Sequence, residues 1–330
     1  MYIRLKDIAE KAGVSVNAVS RALRNAPDIG EETTKKIQQL AEEMGYVRND
    51  IHHYTFKRTS TIMGIAISSV TNPYFYVFLS KLIDALEGTD YCPLIIKSKD
   101  GKLSDENLKS FMSKRVGGII SLIDVGDGVA EKCTRYKIPL VMAGSKAATK
   151  KINGFYWKNG ECGRLVAEEF LKSGRKNPCY VGYGLINFSG ERYYGFKDCL
   201  GAQGVSCAFY DLYDKERPIT LETFPQGFKN MARQIKDNKH DFIFCLNDEV
   251  AALLDKELLK CGYDDFVIYG VDGITKYMPS YGRINSVSID YEKIAKEILE
   301  RLFDLIRLEE TDAYTFKSCI CPLEIVKVQK

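Results

Sequence analysis

Val16, Asn17, Ser20 and Arg21 follow one another at steps of one, three and one residues, which puts all four on one face of a helix and leaves Val19 and Leu23 on the packing side. Their chemistry matches what base pairs display in a DNA major groove. Asparagine pairs bidentately with adenine, arginine does so with guanine, and a valine methyl meets the methyl of thymine; each good bidentate pair discriminates by roughly 1–3 kcal/mol. A reading helix of this kind has to be held at a fixed angle. Leu5, Ile8 and Ala9 recur at helical spacing just before it, Gly13 interrupts, and Ser15 offers an N-cap oxygen to the next helix, expected over residues 16–24. A third helix follows, with Ile37, Leu40, Ala41 and Met44 spaced to close a small core. The acidic and hydroxyl residues Glu31, Glu32, Thr33 and Thr34 suit its positive N-terminus.

Charge permits nucleic-acid binding without demanding it. The 330 residues carry 47 Lys and Arg against 44 Asp and Glu, a net charge of +3, and residues 1–60 hold ten basic against eight acidic side chains. A positive face therefore has to come from arrangement, with Arg4, Lys6, Arg21, Arg24, Lys57 and Arg58 as candidate phosphate partners. The length predicts two or three domains, and 45% hydrophobic with 28% charged residues is a globular composition. The ten cysteines are scattered from Cys92 to Cys321 without the dense spacing of a disulfide scaffold, and the N-terminus has no apolar run, so a reducing cytoplasm is expected. Cys319 and Cys321 form the one close pair, in an apolar run where packing is the simpler role than metal binding, and three histidines leave no His-rich metal site. No window approaches the ~20 apolar residues of a membrane span. There is no Gly-x-Ser-x-Gly, no phosphate-binding Gly-x-x-x-x-Gly-Lys and no dinucleotide fingerprint, so catalysis is not expected.

From residue 61 the pattern changes to short apolar runs alternating with amphipathic stretches. TIMGIAIS, CPLIIKS, VGGIISLI and PLVMA read as strands, with helices between them over residues 73–87, 104–114 and 129–136. A second series repeats the plan: INGFYW, PCYVGY, CAFYDLY, DFIFCL, DFVIYG and INSVSID as strands, with helices over 161–172, 191–201, 228–236, 249–259 and 291–307. FKSCICPLEIV closes the chain. Strands alternating with helices imply parallel sheets with right-handed crossovers, and ligands of such sheets bind beyond the strand C-terminal ends. The polar residues there are Asn247 and Asp248 after DFIFCL, Asp272 after DFVIYG, and Arg192 after the PCYVGY strand; Asp248, ahead of a helix, is also placed to cap it.

The run KDIAEKAGVSVNAVSRAL, with Asn25 and Gly45-Tyr46, closely resembles the N-terminal signature of the lactose-repressor (LacI/GalR) family of bacterial transcription regulators. The resemblance implies an α/β core of two doubly wound parallel-sheet lobes, like a periplasmic binding protein, behind an N-terminal all-α helix-turn-helix domain. It divides the chain into a DNA-binding domain at 1–46, a hinge at 47–60 and an effector-binding core at 61–330. The N-lobe is then about 61–159 plus 290–320, and the C-lobe about 160–289 plus 321–330. DNA contacts are expected from Lys6, Ser15, Val16, Asn17, Ser20, Arg21 and Asn25, and from Asn49 and Phe56 in the hinge. The hinge departs from the family: Arg48 replaces the usual proline, His52-His53 the Ala-Arg pair, and Thr55 the leucine that wedges into the minor groove. Phe56 is either a substitute wedge or part of an ordinary linker.

The same resemblance places Ser68, Ser69, Asn72, Tyr74 and Phe75 on a loop and helix start facing the ligand, and implies effector contacts from Ser69, Asn72, Tyr74, Phe75, Trp157, Arg192, Asn247 and Asp272. Lys158 stands where the family often has Asp, and Gly144-Ser145 replaces another frequent Asp. The implied effector is therefore a sugar or, with Lys158 and Arg192 both facing it, a sugar phosphate. No other cofactor is implied. The expected protein is a homodimer that binds palindromic operator DNA as a repressor and senses a small metabolite between its lobes; it has no membrane partner. The alternative reading is a solute-binding protein for sensing or transport.

Overall fold

A computed structural model describes residues 3–23, 25–44, 46, 60–144, 152–185, 187–212, 224–281, 283–307 and 316–328. The expected hinge residues Asn49 and Phe56, with Arg48, His52, His53 and Thr55, lie outside the described residues, as does Ser145.

The N-terminal unit is three helices, α1 (Leu5–Ala12), α2 (Val16–Ala22) and α3 (Glu31–Glu43). Asp7 reaches back to accept the Arg4 N–H at 2.7 Å, closing the first turn of α1. Gly13 ends that helix at φ 68°, a conformation that costs glycine little. Ser15 caps α2 by accepting from Ala18 N at 3.1 Å. α2 stops at Ala22, two residues short of its expected end. Ile8, Ala9, Val19, Ala22, Ile37 and Ala41 are buried together, so the unit has its own core.

The rest of the chain builds two six-stranded sheets. In order come β1 (Ile62–Ile67), α4 (Pro73–Leu86), β2 (Cys92–Lys97), β3 (Lys102–Leu103), α5 (Asp105–Ser113), β4 (Gly118–Ser121), β5 (Asp124–Val125), α6 (Val129–Arg135), β6 (Leu140–Gly144) and β7 (Asn153–Tyr156). The second series is α7 (Asn159–Ser173), β8 (Pro178–Gly182), α8 (Asn187–Gly201), β9 (Ala208–Asp211), α9 (Phe224–Asp237), β10 (Phe242–Cys245), α10 (Asp248–Lys260), β11 (Val267–Val271) and β12 (Asn285–Ser288). Then come α11 (Tyr291–Arg307), β13 (Ser318–Ile320) and β14 (Glu324–Val326).

The sheets run β13-β7-β6-β4-β1-β2 and β14-β12-β11-β10-β8-β9. Both start from the doubly wound order in which the second strand lies outside the first and the third lies on its other side. This creates a topological switch point between β1 and β4 in one sheet and between β8 and β10 in the other. The ladders are parallel except at one edge, where β14 runs antiparallel to β12. The closing run that reads as one apolar stretch is two strands in two different sheets, split by Cys321–Leu323. The residue pairs Lys102↔Asp124 and Leu103↔Val125 form a small parallel ribbon of their own, too short to leave a periodic trace in sequence.

α7 and α8 meet without side chains between them. A Cβ added at Gly163 would overlap the Arg192 carbonyl, and one at Gly195 the Gly160 carbonyl. Glycine is required because the opposing atoms are backbone and cannot yield. Gly163→Ala and Gly195→Ala are each expected to cost about 1–3 kcal/mol of stability by overpacking, read from urea denaturation midpoints. Gly201→Ala, where the methyl meets open space, is expected to leave the midpoint unchanged or raise it.

Candidate functional site

The two switch points face one cavity of about 370 Å³. Residues just past strand ends supply its wall: Ser68 after β1, Leu122, Ile123 and Asp124 after β4, Gly144 at the end of β6, and Trp157 after β7. From the other sheet come Asn247 after β10 and Asp272 after β11. Helix starts complete it, with Asn72, Tyr74 and Phe75 at α4, Asn159 at α7, and Phe188 and Arg192 on α8.

Asn72, Asn247 and Arg192 on this wall are each held by further hydrogen bonds. Asn72 caps α4, its Oδ1 accepting from Tyr74 N at 2.9 Å, while its Nδ2 crosses to the other lobe and donates to Glu249 Oε2 at 3.0 Å. Asn247 caps α10 in the same way, accepting from Val250 N at 2.9 Å. Arg192 is 5% exposed. Its Nε donates to Asn159 Oδ1 at 3.0 Å and its Nη1 to the Leu246 carbonyl at 2.5 Å, and the guanidinium lies over the Phe188 ring. Tyr74 sits edge-on to Phe75, Phe78, Trp157 and Tyr291, so the aromatic wall is one packed cluster.

Asp248 does not cap its own helix; Asn247 does. Asp248 is fully buried and accepts from Ser286 Oγ at 2.6 Å and from Ile274 N at 2.7 Å, which makes it the clamp of the 3₁₀ turn Ile274–Lys276. That turn follows Asp272, whose φ of 116° is a strained conformation for a non-glycine residue. The strain is held from both sides: Asp272 N donates to the Val287 carbonyl at 2.8 Å, and the Tyr291 hydroxyl donates to the Asp272 carbonyl at 2.7 Å. Its carboxyl is left for the cavity. Burial pushes this carboxyl up to about 7, with Arg192 pulling it down and Glu249 pushing it further up. Burial and the charge of Asp272 also raise Asp248 well above the ordinary carboxylate range. The Tyr74 hydroxyl is raised too, by burial first and then by Asp272.

The structure brings Asn72, Tyr74, Phe75, Trp157, Arg192, Asn247 and Asp272 onto one wall. Ser69 is not on it; its Oγ accepts from Thr71 N and Asn72 N and so shapes the loop into α4, and Ser68 lines the cavity in its place. Lys158 is exposed and off the wall, so the pairing of Lys158 with Arg192 around an anion is not formed. Asp124, Asn159 and Phe188 are wall residues that sequence reasoning did not name as contacts. Asp124 carries the same signal as Asn247, a polar residue just beyond a strand. Phe188 precedes the expected start of α8, because the small and polar residues that open that helix give it no apolar stripe.

On the N-terminal helical unit, Val16 and Asn17 are exposed on α2, with Ser20 and Arg21 partly exposed beside them. Lys6 is exposed on α1, and Ser15 is occupied as the cap of α2. Asn25 stands at φ 56°, with Gln38 Nε2 donating to its Oδ1 at 2.7 Å, so it serves the turn after the reading helix. Among the described residues no group of three or more His, Cys, Asp or Glu is placed to hold a metal ion, and no helix is long and apolar enough to cross a membrane.

Residues 4–49 match the family described as bacterial regulatory proteins, lacI family. The chain is 28% identical over 324 residues to the probable HTH-type transcriptional repressor ExuR of Bacillus subtilis (strain 168), covering 94% of each chain. Two solved structures share its fold at TM-score 0.64 and 17% identity. One is the transcriptional regulator CelR–cellobiose complex, with 98% of each chain covered. The other is the lac repressor dimer bound to operator and the anti-inducer ONPF, with 99% of this chain and 98% of that one covered. The whole chain thus resembles transcription regulators in sequence and fold, with two α/β lobes behind its helical unit.

The raised Asp272 carboxyl makes stability depend on pH. An unfolded aspartate titrates near 3.9, so between about pH 4 and 7 the unfolded chain has lost this proton while the folded chain keeps it. The folded state is then favoured at low pH, and the advantage is lost as pH rises through about 7. Asp272→Asn has no such titration. Its melting temperature minus that of the unsubstituted protein is expected to grow from pH 4.5 to 7 and to level above pH 8; a difference that is flat with pH contradicts the assignment.

Proposed function

We propose that this chain is a lacI-family transcription regulator, a repressor that binds a palindromic operator as a homodimer and responds to a small neutral sugar held between its lobes. Residues 1–46 read DNA, 47–60 carry the signal, and 61–330 sense the effector. The observation that carries the sensing role is the cavity itself. Both sheets open into it at their switch points, and it joins aromatic faces to a forked guanidinium, a carboxyl and two cap-anchored amides. Rings stack on sugar faces, while those polar groups match vicinal hydroxyls. At about 370 Å³ it lies near the lower end of ligand pockets, roughly 300–1,000 Å³. With Lys158 off the wall and Asp124 and Asp272 on it, an uncharged sugar is favoured over a sugar phosphate.

The reading helix supports DNA recognition, and a palindromic site needs two copies of it. The relative named as a probable repressor and the dimeric, operator-bound lac repressor with the same fold support the remaining parts of the reading. Effector and operator are then linked, each changing the other's affinity by the same factor.

A screen of neutral mono- and disaccharides and their phosphates, read by Trp157 fluorescence and thermal shift, is expected to single out a neutral sugar, since a ligand bound only by the folded state raises its melting temperature. Arg192→Ala is expected to remove that response and to leave the gel shift of a genomic operator fragment intact. Loss of DNA retardation together with folding would make Arg192 structural. No specific retardation by the unsubstituted protein, with or without sugars, would overturn the repressor reading.

A further inference from the structure

Arg21 does not stand free on the reading helix. Its Nη2 pairs with Asp28 Oδ2 at 2.6 Å. Asp28 lies in the loop between α2 and α3, and that loop is fixed at several points. Ala26 N donates to the Arg21 carbonyl at 3.0 Å, Asn25 N to the Ala22 carbonyl at 3.0 Å, and Ile29 N to the Ala26 carbonyl at 3.2 Å. Gln38 on α3 donates from one Nε2 to both Asn25 Oδ1 at 2.7 Å and the Ala22 carbonyl at 3.4 Å. Ile29, next to Asp28, packs on the small helical core. The backbone that carries Asp28 is therefore held in place, and its carboxylate is presented to Arg21 from a fixed loop.

We propose that Asp28 is a positioning residue for sequence recognition: by holding one nitrogen of Arg21 it fixes which N–H edge meets the groove, and so sets how sharply the protein distinguishes one DNA sequence from another. This rests on the base-reading role proposed for Arg21. Both side chains are close to half exposed, so the pair adds little to stability; its effect is directional. An unrestrained arginine on a DNA surface turns to phosphates, which are the same at every sequence, whereas discrimination comes from a forked contact to one base. The carboxylate is also repelled by phosphates. It therefore weakens binding to all DNA while leaving a base edge as the favourable contact for Arg21.

The test uses the full chain, a duplex that it enriches from a randomised pool, and the same duplex with its base order scrambled. Fluorescence anisotropy at one fixed salt concentration gives the ratio of the two affinities for the unsubstituted protein, Asp28→Ala, Arg21→Ala and the double variant. Asp28→Ala is expected to tighten binding to the scrambled duplex and to lower the ratio by about tenfold, the scale of one good base contact. The double variant is expected to match Arg21→Ala alone, since Asp28 acts through Arg21. Asp28→Asn keeps an acceptor oxygen and is expected to retain more of the ratio than Asp28→Ala. Partial unfolding lowers both affinities equally and leaves the ratio unmoved, so a structural role alone cannot produce the expected result. An enriched duplex whose ratio is the same for Asp28→Ala and Asp28→Asn as for the unsubstituted protein overturns the role of Asp28 and leaves DNA reading standing. A fall in ratio on adding Asp28→Ala to Arg21→Ala also overturns it. Failure to enrich any duplex removes the DNA-reading role, and this proposal with it.

Discussion

A guanidinium withdrawn from water at the meeting of two sheets is costly unless its acceptors are already in place. Arg192 is in that position, and much of the C-terminal lobe is arranged around it. The glycine contacts between α7 and α8 bring Asn159 within 3.0 Å of its Nε, and the end of β10 turns the Leu246 carbonyl toward Nη1. Asp272 adds a carboxyl whose titration the guanidinium pulls down. Wider spacing of the two helices would leave the charge half satisfied. The absence of side chains at Gly163 and Gly195 is thus as much a part of the site as the presence of Arg192.

The two asparagines show how a fold can lend its terminations to a binding site. Asn72 and Asn247 each spend the side-chain oxygen on capping a helix, which locks the amide and leaves its NH₂ group directed elsewhere. For Asn72 that direction is across the lobes to Glu249, so the N-terminal ends of α4 and α10 are joined through a carboxylate that suits both positive helix ends. Asp248 does comparable work out of sight. It ties β12 to the turn behind β11 and maintains the strained backbone at Asp272.

The elements with strong periodicity were legible from sequence. The helix Tyr291–Arg307 is legible to the residue because its apolar positions repeat through every turn, and the strands of both sheets fall on their apolar runs, β6 and β11 each extending one residue past the run. α8 was read four residues late, since Asn187, Ser189 and Gly190 carry no helical signal. The division of FKSCICPLEIV between two sheets is invisible to local pattern, because both pieces are apolar and only pairing partners distinguish them. Within the site, strand-end position and family resemblance led to most of the wall. They could not say which of two adjacent residues turns inward. Ser68 rather than Ser69 lines the cavity, Asn247 rather than Asp248 caps α10, and Lys158 points away although Trp157 and Asn159 on either side face in.

The chain passes between its lobes where β7 leads into α7, where β12 leads into α11, and where β13 leads into β14. These passages are laced together sideways. On one side Cys321 N donates to the Tyr156 carbonyl, continuing the β7–β13 ladder to its last residue; on the other, Ser288 pairs with Glu324 where β12 and β14 approach the crossing. Only Cys321–Leu323 separates the two final strands, a reach of roughly 10 Å even when fully extended. The passages are therefore tied in pairs, β7 with β13 in one sheet and β12 with β14 in the other. The lobes are therefore joined by short, mutually bonded connections rather than by loose tethers.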